Sequence, residues 1–213
     1  MKTITDFFRP HNSDVQDPPL TKLLFGNTAF AWVWLVLRVW LGYQWISASM
    51  HKLFVVDAAG NTLYGQFNPG WMVTGEALKG FWVGALATTP KTVIAIDWYR
   101  SFIQFMVDSQ SYVWFAKLVA IGEFAIGLGL IVGAFVGVAA FFGAFMNWNF
   151  IMAGSASTNP LLFVVALVLI LAWETAGYYV LDRVLLPMLG TPWKVGYILH
   201  PQERKLTPQT VKA

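Results

Sequence analysis

From Tyr112 to Gly154 the chain carries only two charged side chains, Lys117 and Glu123, in a block that is otherwise apolar or neutral. An α-helix rises about 1.5 Å per residue, so about 20 apolar residues span a hydrocarbon core of about 30 Å. The block is too long for one such crossing. The glycines of LIVGAFVG, near Gly133 to Gly137, divide it into two helices joined by a tight hairpin. Two more runs share its character. One is Phe30 to Met50, FAWVWLVLRVWLGYQWISASM. The other is Leu161 to Leu181, entered through STNP, where Pro160 lacks the N–H that a helix start would leave unpaired. Over the whole chain 57% of residues are hydrophobic and 12% charged, against about 25% charge in soluble domains. Backbone polar groups in lipid must be satisfied internally, and these long runs lack period-two alternation, so helices are expected rather than a barrel. The expected fold is all-α, an integral membrane four-helix bundle with helices at about 30–50, 112–134, 136–154 and 161–181.

Residues 1–28 are polar and proline-rich without an apolar core, so no cleavable signal peptide is expected and the first crossing serves as its own insertion signal. Four crossings put both ends on one side. Lys2, Arg9 and Lys22 in the N-terminal tail, and Arg183, Lys194, Arg204, Lys205 and Lys212 in the C-terminal tail (183–213), favour the cytoplasm for both under the positive-inside rule. The transmembrane domain is then residues 29–182 of a multi-pass protein of the cell membrane, with the 51–111 loop outside. That loop holds two stretches of helical spacing. TGEALKGFWVGAL has Leu78, Phe81, Trp82 and Leu86 near one face, and VIAIDWYRSFIQFMV puts Ile94, Trp98, Phe102 and Phe105 on a common side. Both are expected as helices in the membrane interface, where tryptophan and tyrosine are favoured, covering the outer mouth of the bundle.

The net charge of +3 is spread over tails and loop, with no basic run interleaved with aromatics, so nucleic acid is not an expected partner. Cysteine is absent, which excludes a disulfide framework, a thiolate metal site and a catalytic cysteine. His11, His51 and His200 do not pair on facing helices at membrane depth, which argues against a b-type haem. GLGLIVG lacks the strand-turn-helix setting of a nucleotide site, so no haem, flavin or metal motif is expected. An inverted repeat of the kind a transporter uses is not evident either.

Ionisable residues at membrane depth are costly and usually face the bundle interior. Arg38 and Glu174 fall at similar depth from the inner side, about 10–12 Å at the helical rise. They are expected to meet as a bidentate pair, which either serves function or only fixes helix register. Glu123 lies near the midplane at the level of Asn147 and without an evident cation. It is expected either to bond Asn147 or to be protonated through burial. Asn147 shares a face with Gly143 and Gly154, whose small size lets helices approach, while Asn149 points to another side. At the outer end His51, Lys52, Lys117, Asn149 and Ser155 collect near the mouth. Such a group of cations and neutral donors could hold a small anion, unless lysine and histidine only snorkel to headgroups.

RVWLGYQWISASMHKL, GEFAIGLGLIVG, MNWNFIMAGSASTNP and AGYYVLD together resemble the DoxX family of four-helix membrane proteins, which includes the DoxD-type small subunit of thiosulfate:quinone oxidoreductase. The resemblance runs from about Arg38 to Asp182. By motif, its first-helix arginine is Arg38, the lysine at that helix's exit is Lys52, the glutamate of its GE motif is Glu123, and its third-helix asparagines are Asn147 and Asn149. It implies a membrane oxidoreductase component that takes electrons from thiosulfate or a related sulfur compound and passes them to quinone. Glu123, Arg38 and Glu174 are the expected catalytic residues, and a second redox subunit or a homo-oligomer the expected protein partner. The alternative is a non-catalytic accessory or assembly subunit of a membrane redox complex.

Overall fold

The computed structural model describes residues 17–190 apart from Pro90. Most of both expected tails, with Lys2, Arg9, Lys194, Arg204, Lys205, Lys212, His11 and His200, lies outside the described residues. The protein is mostly helical. Helix α1 (Pro19–Phe25) and a 3-10 turn (Thr28–Phe30) lead into α2 (Ala31–Leu53). Strands β1 (Phe54–Val56) and β2 (Thr62–Phe67) follow as an antiparallel hairpin. Next come α3 (Pro69–Met72), α4 (Glu76–Leu86) and α5 (Asp97–Asp108). The chain continues through α6 (Tyr112–Val132), α7 (Val136–Met152), α8 (Asn159–Leu171), α9 (Trp173–Ala176) and α10 (Asp182–Met188).

Helix α2, with the turn before it, and helix α6 are long and apolar enough to cross a membrane, while α7 and α8 are apolar but shorter, at 17 and 13 residues. Their outward faces are apolar as well. Val36, Trp40, Tyr43, Leu118, Ile121, Leu128, Phe141, Phe142, Phe145, Val164 and Leu167 are all exposed. A continuous apolar exterior of this kind marks an interaction surface.

Helix α2 packs most extensively on α6, and α7 on α8, whereas the consecutive α6 and α7 touch less. The core joins Trp34, Leu41 and Trp45 of α2 to Ile126 and Leu130 of α6, Val136 and Ala140 of α7 and Leu169 of α8. Glycine sets the spacing of the first pair. A Cβ on Gly127 would stand 2.8 Å from the Gly42 carbonyl oxygen, and one on Gly42 would stand 2.9 Å from that of Gly127. Only backbones without side chains can lie this close.

A second core lies under α4 and α5, built from Leu78, Trp82, Ile94, Tyr99, Ile103 and Tyr112. These two helices cap one end of the α2/α6/α7/α8 assembly, hereafter the cap end; the opposite end, at Gly133–Phe135, is the hairpin end. Trp98, Phe102 and Phe105 do share a side of α5, but it is the exposed side, and Tyr99, Ile103 and Met106 are buried instead. The β-hairpin was not expected from the sequence.

The fourth long helix ends ten residues earlier than its apolar run. Helix α8 closes at Leu171, and the Thr175 hydroxyl of α9 donates to the carbonyl of Phe25 at 3.0 Å. Gly177 then packs so closely that a Cβ there would stand 2.2 Å from that of Asp182. The chain beyond Leu171 thus makes tertiary contacts with α1 and α10 that are invisible in hydropathy. Gly154 also departs from expectation, since it lies beyond the end of α7 with φ +86° rather than on the face of Asn147.

Gly127→Ala is expected to destabilise the protein by about 1–3 kcal/mol, the usual range for overpacking. Gly122→Ala, whose new Cβ would meet only the Met146 sulfur at 3.9 Å, is expected to leave stability nearly unchanged. Thermal unfolding of the two variants in detergent measures the contrast.

Candidate functional site

Helix α2 presents Arg38, Gly42, Trp45 and Ser49 as one buried stripe. Lys52 continues it. Side chains on a helix lean toward its N-terminus, so the Lys52 ammonium drops back a turn into the assembly. There it donates to Glu123 Oε2 of α6 at 2.6 Å and to the carbonyl of Ala48 at 3.4 Å, beneath the ring of Trp71 at 5.4 Å. The Glu123 side chain is 1% exposed and that of Lys52 is 20% exposed, so the pair is buried on its acidic side and open on its basic one. Glu123 therefore has a cation after all. Counting backbone positions placed Lys52 at the helix exit and missed the reach of its four-carbon stem.

Asn147 is fully buried, and neither its Nδ2 nor its Oδ1 has a hydrogen-bond partner among the described residues. The bond to Glu123 expected from depth alone is not made. The three helices nevertheless bring these residues to one level. A Cβ on Gly143 of α7 would stand 3.2 Å from Trp45 Nε1 and 3.4 Å from Ile126 Cγ2, which ties the helices together at that height. One turn toward the cap end from there lie Asn147 on α7 and Ser49 on α2, and Glu123 is three residues from Ile126 in the same direction. Trp45 Nε1 is likewise buried without a partner. An unpartnered buried polar group costs about 1–3 kcal/mol. These two adjacent turns of the interior thus combine an ion pair with unused donors and an unused acceptor.

At the hairpin end the charges do different work. Arg38 Nη1 donates to the carbonyls of Leu130 and Ile131, the latter at 2.9 Å. These belong to the last turn of α6, whose carbonyls lack helical partners and favour a cation. The Asp182 carboxylate accepts from the N–H groups of Phe135 at 2.5 Å and Val136 at 2.8 Å, capping the start of α7. Arg38 and Asp182 also act on each other through space.

The expected Arg38–Glu174 pair is not formed. Glu174 sits half-buried in the short α9 and makes no hydrogen bond or ion pair with a described residue. The break after Leu171 changes the helical phase, so a depth counted along an unbroken helix fails for Glu174. Asp182 is the acid that sequence reasoning missed. It follows directly on the apolar run, where it counts only as the last residue of the transmembrane domain.

Nor does the structure gather the five expected anion ligands around one point. Asn149 is held by α5, its carbonyl and Oδ1 accepting from the Tyr99 hydroxyl at 2.9 and 3.3 Å, while its Nδ2 donates to the carbonyl of Phe145. Burial pushes the Tyr99 phenol up to about 12, so it remains a donor. Ser155 accepts from Asn159 within the α7–α8 turn. The His51 side chain is exposed, and half-buried Lys117 makes no hydrogen bond or ion pair with a described residue. Of the five, only Lys52 joins the interior site.

Between α6 and α7 runs a groove of about 660 Å³, walled by Val119, Gly122, Ala125, Ile126 and Gly129 on one side and Ala139, Phe142, Met146 and Phe150 on the other. Its only hydroxyl and carboxamide groups are those of Tyr99 and Asn149, at the cap end. Val119, Gly122 and Ile126 flank Glu123 along α6, so the same helix contributes to both the groove and the ion pair.

No protein-family model, no curated protein and no solved structure gives a match to this chain.

Asn147→Leu is expected to raise stability by about 1–3 kcal/mol, because it removes a desolvated amide that no protein group satisfies. Chemical or thermal unfolding beside the wild type reads the sign. A loss of stability would show that the amide has a partner in the folded protein.

Proposed function

We propose that this chain is a four-helix membrane protein of DoxX-like type that works as a component of a sulfur-compound:quinone oxidoreductase. The single observation that carries the reading is the buried Lys52–Glu123 pair beside the unpartnered amide of Asn147. The apolar exterior and the two long apolar helices support insertion in a membrane, the lysines and arginines of the two tails favour the cytoplasm for both termini, and the sequence motifs support the sulfur donor.

In this reading the cap end faces outward. Lys52 lies at the opening and holds the sulfur anion, with Ser49 and Asn147 beside it. Glu123 accepts and releases the proton. The fit to quinone rests on the groove between α6 and α7, apolar along its length with a phenol and an amide at one end, which matches a prenylated ring. Bound quinone would supply an acceptor for two electrons and two protons. Arg38 and Asp182 bind no substrate here; they hold the hairpin end of α6 and α7 closed so that the groove keeps its width.

Quinone reduction by the purified full chain in nanodiscs, with thiosulfate as donor and sulfite for comparison, tests the reading. Thiosulfate-dependent turnover is expected. Glu123→Gln is expected to lower it by about 100-fold, the scale of a lost proton-transfer group, with the protein still folded. Wild-type turnover in that variant would remove Glu123 from the chemistry. A folded wild type without turnover would move the chain to the accessory class, and co-purification would then identify the catalytic partner.

A further inference from the structure

We infer that the Lys52–Glu123 site binds a small divalent oxyanion together with one proton, an inference that rests on the anion-site reading above. The reason is charge balance. Lys52 and Glu123 in contact at 2.6 Å sum to zero, so the resting site offers an anion no net attraction. Among the described residues no other cation is placed to supply it. His51 of α2 is exposed, and Lys117 lies outside the buried α6 stripe of Ala116, Ala120 and Glu123. On α4, Lys79 is bound to Glu76 at 3.1 Å above the ring of Tyr112. Helices α3, α7 and α8 carry no titratable side chain at all.

An anion entering beside Trp71, through the open side of Lys52, must therefore take the ammonium from the carboxylate. A buried carboxylate stripped of its cation is expensive and neutralises by taking up a proton. The exchange balances: the ion pair, one dianion and one proton give a lysine-bound dianion beside a carboxylic acid. The acid O–H becomes a donor where the carboxylate could only accept. With the unpartnered Asn147 Nδ2 at the same level, the site turns from a closed pair into a set of donors suited to an oxyanion.

Calorimetric titration of thiosulfate into the full chain in nanodiscs, in two buffers of different ionisation heat and at several values between about pH 6 and 8, reads affinity and proton count together. Uptake of close to one proton per anion is expected, with the association constant falling about tenfold per pH unit. Glu123→Gln cannot take up that proton. It is expected to bind without uptake and with the same affinity throughout. The double variant Lys52→Met with Glu123→Gln leaves no unpaired buried charge, so it should fold, and it is expected not to bind.

Wild-type binding without proton uptake, uptake retained in Glu123→Gln, binding retained in the double variant, or no binding by folded wild type would each overturn the inference. The redox reading fails separately. Proton-linked binding without turnover removes the redox activity and leaves this site standing, whereas turnover with proton-free binding does the opposite.

Discussion

The close approach of Gly42 and Gly127 fixes the distance and the register between α2 and α6, and both charged assemblies depend on it. Four residues toward the hairpin end, Arg38 meets the last carbonyls of α6. Ten residues the other way, Lys52 reaches back to Glu123. A side chain on either glycine would push the two backbones apart, and a 2.6 Å ion pair has no slack to follow. The pairing of charges is thus a consequence of helix spacing, set by two residues that carry no charge.

The two ends use charge differently. At the hairpin end, Arg38 and Asp182 are spent on helix termini, where unsatisfied carbonyls and N–H groups supply ready partners. Stability is the return. Two buried Arg38 nitrogens, Nε and Nη2, still lack a partner among the described residues. Toward the cap end Trp45 Nε1 and, a turn further on at the level of Glu123, the Asn147 amide lack one as well, there near an ion pair whose desolvation offsets much of its attraction. Leucine and phenylalanine at these positions would pack without that cost. A polar cluster that lowers stability is a better guide to function than one that raises it.

Hydropathy alone located the long helices to within a few residues at most ends, because apolar length is a local property. It failed where tertiary contacts decide. The fourth helix stops at Leu171, and the residues just past it pack on α1 through Thr175 and on the start of α10 through Gly177, neighbours that nothing in the run from Leu161 to Leu181 announces. The same failure misplaced Glu174 and hid Asp182. Arg38, Glu123 and Asn147 were legible as buried polar residues, since polar groups inside apolar runs stand out, whereas Lys52 was expected at the outer mouth. Their partners were not legible. Pairing depends on side-chain reach, as for Lys52, and on which helix face meets which, as for α5, whose aromatic stripe of Trp98, Phe102 and Phe105 faces outward rather than in.

Helix α6 is the element common to both halves of the proposed chemistry. One of its faces carries Glu123 toward α2, and the adjacent face supplies Val119, Gly122, Ile126 and Gly129 to the groove. A sulfur anion arrives from water and a quinone from lipid, so a component joining them needs a wall that is thin but dry. Gly122 makes the wall thin, since the Met146 sulfur is the one heavy atom within 4 Å of where its side chain would begin. Val119 and Ile126 keep it apolar. In such a wall a carboxyl group that has taken its proton with the incoming anion lies one residue from the groove, and it need not cross the bundle to release it.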